Sequence, residues 1–312
     1  MDSISEYTGN GAYCYANSLH MCLRVAEPET TLHSGILEAL TLMPFGCFLV
    51  ENGDLQVFLA SPSWNSPDHG VTMAIRHIGW RCDLTACSDR EGAQQQLRNA
   101  LVDGPVMLGP LDMSALTYYA RRGPVGPVTD HYVVALAVRG DRFVIHDPNG
   151  FPAVEIAADE LMTSWGTELE YGQPYTLRFR FANTEHMERA QIIQRCVDSL
   201  REKAGKEWSG PGLLGGVAAL ARTQALVKDG PSSSLIGVMT RFSLSGGARR
   251  CLDGAAFLSE AGLARAAQAM ADKARLYGRA QYEAVKEDWP SLAECFEDLA
   301  AAEERFLASL KP

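Results

Sequence analysis

The chain has no long hydrophobic run: its longest apolar stretches, such as Tyr132–Val138, fall far short of the roughly 20 residues that a membrane span needs. The start, Met1-Asp2-Ser3-Ile4-Ser5-Glu6, lacks a basic region followed by an apolar one, so no signal peptide is expected and a cytoplasmic location follows. Positive charge is scarce as well. Lys and Arg total 28 against 38 Asp and Glu, a formal net charge of −10, and no basic run carries interleaved aromatics. Nucleic acid is therefore not an expected partner. Also missing are a G-x-S-x-G elbow, an H-E-x-x-H helix and the Walker and Rossmann glycine fingerprints, so serine-hydrolase, zincin and nucleotide-binding readings have no support. No cofactor is expected.

Cysteine is present eight times in 312 residues. A chain this long without a secretory signal needs no disulfide staples, and the irregular spacing suggests buried free thiols plus one reactive one. Cys82 and Cys87, with His69 and His77 upstream, match zinc spacings poorly and read as packed side chains, so no metal is expected. Cys82 with Asp112 is a second nucleophile pairing, but nothing marks Cys82 as a helix start.

Residues 1–182 read as mixed α and β, with helical spacing at Cys14–Leu23, Leu32–Leu42, Val71–Gly79 and Glu91–Leu101. Strand patterns fall at Pro105–Leu108, His131–Ala137, Arg142–His146 and Tyr175–Phe181. Residues 183–312 read as all-helical and Ala-rich. Asn183 or Thr184 caps the first helix there, and Gly230-Pro231-Ser232 and Ser245-Gly246-Gly247 separate later ones. Leu252, Phe257, Leu258 and Leu263 are expected in its core. The fold class is thus α+β with an antiparallel sheet, followed by an all-α region.

Chemistry concentrates in two segments. In Gly9-Asn10-Gly11-Ala12-Tyr13-Cys14-Tyr15-Ala16-Asn17, a cysteine follows a glycine-rich loop and opens a helix. The unpaired N–H groups there favour a thiolate and can hold a tetrahedral oxyanion. In Asp130-His131-Tyr132 … Arg139-Gly140-Asp141 … His146-Asp147-Pro148, two strands flank one turn. His131 and Asp147 sit symmetrically about Arg139 and should face each other across a hairpin. Asp147 would then fix the imidazole tautomer, leaving the other ring nitrogen to take the proton of Cys14. His146 should point to the opposite sheet face, and His20 to another face of its helix; both read as structural.

Cys at a helix start, His-Tyr-Val-Val on one strand and Asp-Pro ending the next resemble the bacteriocin-leader-processing cysteine peptidases of the papain-like superfamily. That resemblance implies a papain-like catalytic domain over 1–182, with Cys14, His131 and Asp147 as nucleophile, base and orienter. Those peptidases carry Gln six residues before the cysteine, where this chain has Thr8. Thr8, Asn10 and Tyr13 are the candidates for oxyanion or substrate binding. The layout of a thiol half followed by a helical half is similar to butirosin-type acyltransferases. Tyr7–Leu19, Pro44-Phe45-Gly46 and Gly79-Trp80-Arg81-Cys82 look closest to off-loading Dieckmann cyclases of polyketide and nonribosomal peptide biosynthesis. The resemblance implies a substrate held as an acyl-carrier-protein thioester, an acyl-enzyme, and closure to a tetramate or pyridone antibiotic scaffold. Residues 183–312 would recognise substrate or carrier. Arg121-Arg122 and Arg249-Arg250 are candidate docking charges, and Tyr118–Pro127 a candidate flap. Transfer to an amine, peptidase or amidase activity, and a non-catalytic binding role are the alternatives.

Overall fold

The computed structural model describes residues 6–9, 13–51, 55–122, 129–169, 171–228 and 230–311. In chain order its strands are β1 (Cys47–Val50), β2 (Gln56–Leu59), β3 (Trp80–Ala86), β4 (Val106–Asp112) and β5 (Asp130–Arg139), then β6 (Arg142–Asp147), β7 (Phe151–Ala157), β8 (Thr176–Asn183) and β9 (Leu213–Gly215). The helices begin with α1 (Cys14–Ala26), α2 (Ser34–Leu40), α3 (Pro67–His77), α4 (Arg90–Ala100) and α5 (Ala158–Trp165). Later come α6 (Arg189–Lys203), α7 (Gly216–Lys228), α8 (Ser233–Val238), α9 (Leu244–Glu260), α10 (Ala264–Val285) and α11 (Trp289–Leu310). The class is α+β, with antiparallel sheets and a helical C-terminal region. Among the described residues, no helix is long and apolar enough to cross a membrane.

Two compact units divide the chain: residues 1–37 with 78–186, and residues 38–77 with 187–312. The sequence boundary at 182/183 thus lies close to one crossing, whereas 38–77 packs with the C-terminal helices. The first unit is built on a six-stranded antiparallel sheet in the order β3-β8-β4-β5-β6-β7. Alternation gives its strands one face dense in Val106, Leu108, Val133, Ala135, Phe143 and Ile145, which packs with Leu97 of α4 and Leu161, Met162 and Trp165 of α5. Residues Tyr15 to Leu23 of α1 are all buried, so this helix is enclosed on every side rather than amphipathic.

The second unit contains the small antiparallel sheet β2-β1-β9 and the helices from α6 onward. The cap of α6 is Glu188, in a reciprocal capping box with Gln191, and not Asn183 or Thr184; Asn183 still ends β8. The helix is interrupted at Gly262 (φ 73°), between α9 and α10. It does not break at Gly246-Gly247, where α9 runs straight through. A Cβ on Gly247 would lie 3.0 Å from Leu59 and 3.3 Å from the Tyr277 ring. That glycine permits close packing instead of a turn. Phe257 and Leu258 are core, but Leu252 is 58% exposed, because it faces outward on α9.

Candidate active site

Cys14 is the first residue of α1, and Tyr13 before it adopts a left-handed conformation (φ 61°, ψ 46°). The Tyr13 side chain makes no capping bond to this end, where the first-turn N–H groups of a helix have no partner within the helix itself. The Tyr13 ring is 5% exposed, an anchor in the core that holds the strained entry in place. Gly9 packs so tightly that a Cβ there would lie 2.5 Å from the Pro148 carbonyl oxygen. The Tyr7 hydroxyl donates to the Asp147 carbonyl (2.9 Å) and accepts from the Gly150 N–H (2.8 Å). Together these fasten the segment before Cys14 to the end of β6.

The β5–β6 hairpin turns on Gly140 and Asp141, with Arg139 opposite Arg142. A bulge between Ala135 and Ala137 then shifts the ladder, so Val134 faces His146. On that register Asp147 is level with Val133, and His131 lies two residues further along the same face. The pair is therefore diagonal, not symmetric about Arg139 as the spacing suggested. A diagonal neighbour is still within reach of an imidazole. His131 Nε2 and Asp147 Oδ1 are 2.8 Å apart, with both residues buried. Cys14, whose own exposure is intermediate, lies close enough to His131 to act on its imidazole electrostatically.

Asp147 is held by more than its imidazole. Oδ1 also accepts from the Asn149 N–H at 2.8 Å, and Oδ2 accepts from the hydroxyls of Tyr118 (2.8 Å) and Tyr119 (2.7 Å). Burial alone would raise the Asp147 carboxyl, but His131, Asn149 and Tyr119 hold it below the ordinary carboxylate range. Burial likewise works against an imidazolium at His131. The charge and hydrogen bond of Asp147, with Cys14, outweigh it and lift the group from 6.5 to about 10. Burial first, then Asp147, pushes both tyrosines far above the usual phenol range, so they stay donors. Tyr171, which precedes β8, is raised by burial and then by Asp130 and Tyr132, with Cys14 also contributing.

The other sequence candidates are placed as follows. The Thr8 hydroxyl lies 3.1 Å from His20 Nδ1, which ties both to each other. Asn10 lies outside the described residues, as do residues 123–127 of the expected flap. His146 Nδ1 accepts from the Ala153 N–H at 3.0 Å, a structural bond. The Asp112 carboxylate accepts from Ser114 and the Thr129 N–H, which commits it to a cap rather than to Cys82. In the second unit, His77 is engaged at both ring nitrogens, by Leu40 O (2.7 Å) and Ser199 Oγ (2.9 Å). Among the described residues no group of three or more His, Cys, Asp or Glu is arranged to hold a metal ion. Arg250 is buried in a bond to Glu38 (2.7 Å), which removes it as a docking charge. Tyr7, Asn149 and Tyr171 were invisible as partners in the sequence. Tyr118 and Tyr119 entered the sequence reading only as the start of the candidate flap ahead of His131.

The first unit thus brings a thiol, an imidazole and a carboxylate together, residue types from which a nucleophile, a base and an orienting acid can be built. Residues 209–311 match the family described as the YobF C-terminal domain. Over 308 residues the chain is 26% identical to the protein described as "Uncharacterized protein YobF" from Bacillus subtilis (strain 168), covering 97% of each chain. The similarity therefore extends through both units.

Proposed function

We propose that this chain is a papain-like thiol enzyme that takes an acyl group from a carrier-bound thioester onto Cys14 and releases it by Dieckmann closure to a tetramate or pyridone. The observation that carries the reading is the buried His131, bonded through Nε2 to Asp147 and close enough to Cys14 for the thiol to act on it. An imidazole raised to about 10 keeps its proton at neutral pH, so the Cys14 sulfur faces an imidazolium, the setting that favours thiolate attack. The thiolate adds to the thioester carbonyl, and first-turn N–H groups of α1 are suited to receive the oxyanion. Collapse breaks the bond to the carrier thiol, which takes the proton of His131. The now neutral imidazole then accepts the proton from the substrate's acidic carbon, between two carbonyls. That carbanion attacks the acyl-enzyme, the ring closes and the Cys14 sulfur leaves.

Exclusion of water matters here, since hydrolysis competes for the same acyl-enzyme. The strained Tyr13 entry is consistent with this use, because backbone strain of this kind clusters at functional sites. All eight cysteines are free, in keeping with a reducing, cytoplasmic setting. The resemblance to off-loading cyclases supplies the substrate class, and no cofactor is invoked.

The test is product analysis with a β-ketoacyl-aminoacyl thioester of N-acetylcysteamine. A cyclic product that disappears in Cys14→Ala supports the reading. Free acid alone would turn it into a hydrolase of the same chemistry.

A further inference from the structure

One short segment of the first unit is fastened to the Asp147 carboxylate by the hydroxyls of two tyrosines whose rings pack against the core. Thr117–Arg122 forms a 3-10 turn between β4 and β5. Its consecutive residues Tyr118 and Tyr119 both donate to the same oxygen, Asp147 Oδ2. The Tyr119 hydroxyl also lies 3.5 Å from His131 Nε2. Both phenol rings pack on Phe151, with centroids 5.0 and 4.9 Å away. At the start of the turn, the Thr117 N–H and hydroxyl donate to Glu160 Oε1 of α5, at 2.6 and 2.7 Å.

Asp147 is fully buried, and its two oxygens are served differently. Oδ1 is held by groups of the hairpin and the turn after it, His131 and Asn149. Oδ2 is held by the two phenols. Were the 117–122 turn to lift, Oδ2 would lose both donors while remaining attached to a buried carboxylate. Such a group relieves its cost by rotating or by taking a proton. Either event removes the negative, fixed acceptor that holds the His131 ring.

Resting on the triad reading above, we infer that Tyr118 and Tyr119 are positioning residues for His131, acting through Asp147, so that docking of the 117–122 turn completes the base. The two phenols are not catalytic residues, because they act through Asp147. The segment then couples the conformation of the chain just before β5 to the competence of the thiol. A substrate or partner that displaces the turn would switch the site off, and one that presses it down would switch it on.

The test uses Tyr118→Phe, Tyr119→Phe, the double variant and Glu160→Ala in the full chain. Phenylalanine keeps the packing on Phe151 and removes only the hydroxyl. Two readouts are taken: the rate of iodoacetamide labelling at Cys14, followed by peptide mapping, and the downfield imidazole N–H proton resonance of His131, assigned by its loss in His131→Gln. Loss of a bond to a charged acceptor predicts labelling slowed about tenfold in each single variant and about a hundredfold in the double. The His131 resonance should broaden or move upfield in parallel. Glu160→Ala loosens the far end of the turn without touching Asp147 and should give a smaller effect in the same direction. A lowered melting temperature with unchanged labelling and resonance would show the phenols to be structural only, and would overturn the inference. Unchanged rates in Glu160→Ala would overturn the role of docking. A wild-type protein with neither selective labelling of Cys14 nor a downfield resonance would instead sink the triad reading itself.

Discussion

Replacing Asp147 by Asn tests how much of the site's chemistry depends on one charge. The substitution keeps shape and size, so the fold should persist. The amide oxygen can still accept from His131 Nε2 and the Asn149 N–H, and its NH2 can donate to the phenol oxygens of Tyr118 and Tyr119. What disappears is the negative charge. The rise of His131 from 6.5 to about 10 corresponds to about 5 kcal/mol of preference for the imidazolium. Asp147 is the leading contributor among the groups that raise it, ahead of Cys14. Forfeiting most of that preference should slow acylation of Cys14 by about 10²–10⁴-fold at pH 7. The assay is the time course of acyl transfer from an N-acetylcysteamine thioester, read by intact mass. The stability effect has a definite sign. Asp147 titrates below its ordinary value in the folded chain, so its contribution is present above about pH 4 and fades as pH falls through the depressed value. The melting-temperature gap between wild type and variant should therefore be widest near neutrality and close toward pH 3. An Asp147→Asn protein acylating at the wild-type rate would remove Asp147 from the mechanism and refute the reasoning.

Other consequences follow from the second unit. Glu207 accepts from the Ser63 N–H (2.6 Å) and from the Ser63 hydroxyl, and burial raises its carboxyl to about 7. A raised acid contributes stability below its unfolded value and loses it as pH rises through about 7. Glu207→Gln should thus raise the melting temperature by about 2–4 °C at pH 8 and leave it unchanged or lowered at pH 4; no gain at pH 8 would contradict this. Lys273 and Glu303 form a fully buried ion pair, in which Glu303 overrides burial and keeps the amine charged. Lys273→Met alone should destabilise by about 3–5 kcal/mol, and adding Glu303→Leu should recover most of it, as measured by urea unfolding. Additive losses in the double variant would show that no such pairing exists.

The helix that begins at Cys14 and the hairpin that holds His131 and Asp147 were legible because their patterns are local. A helix that starts at a cysteine and two strands joined by a Gly-containing turn are both written within about twenty residues. The register was not legible. The two-residue turn and the bulge near Leu136 each shift the pairing, and neither has a pattern of its own. Residues 38–77 read as part of the first half, since nothing in their composition marks β1 and β2, four residues each, as belonging with distant helices. Leu252 shows the limit of apolar periodicity, because one exposed leucine on α9 reads like its buried neighbours. Gly246-Gly247 shows the converse, a break signal overridden by helix packing. The donors around Asp147 come from four separate stretches of chain, and only the folded chain brings them together.

The central claim is that Cys14 forms the covalent intermediate with His131 as its proton carrier. Its most direct test is to quench the protein with an acyl thioester, map the acylated peptide, and repeat with His131→Ala. The account predicts one acyl group, located on Cys14 and absent from the His131 variant. An acyl group on another residue, or undiminished labelling of Cys14 without His131, would contradict it.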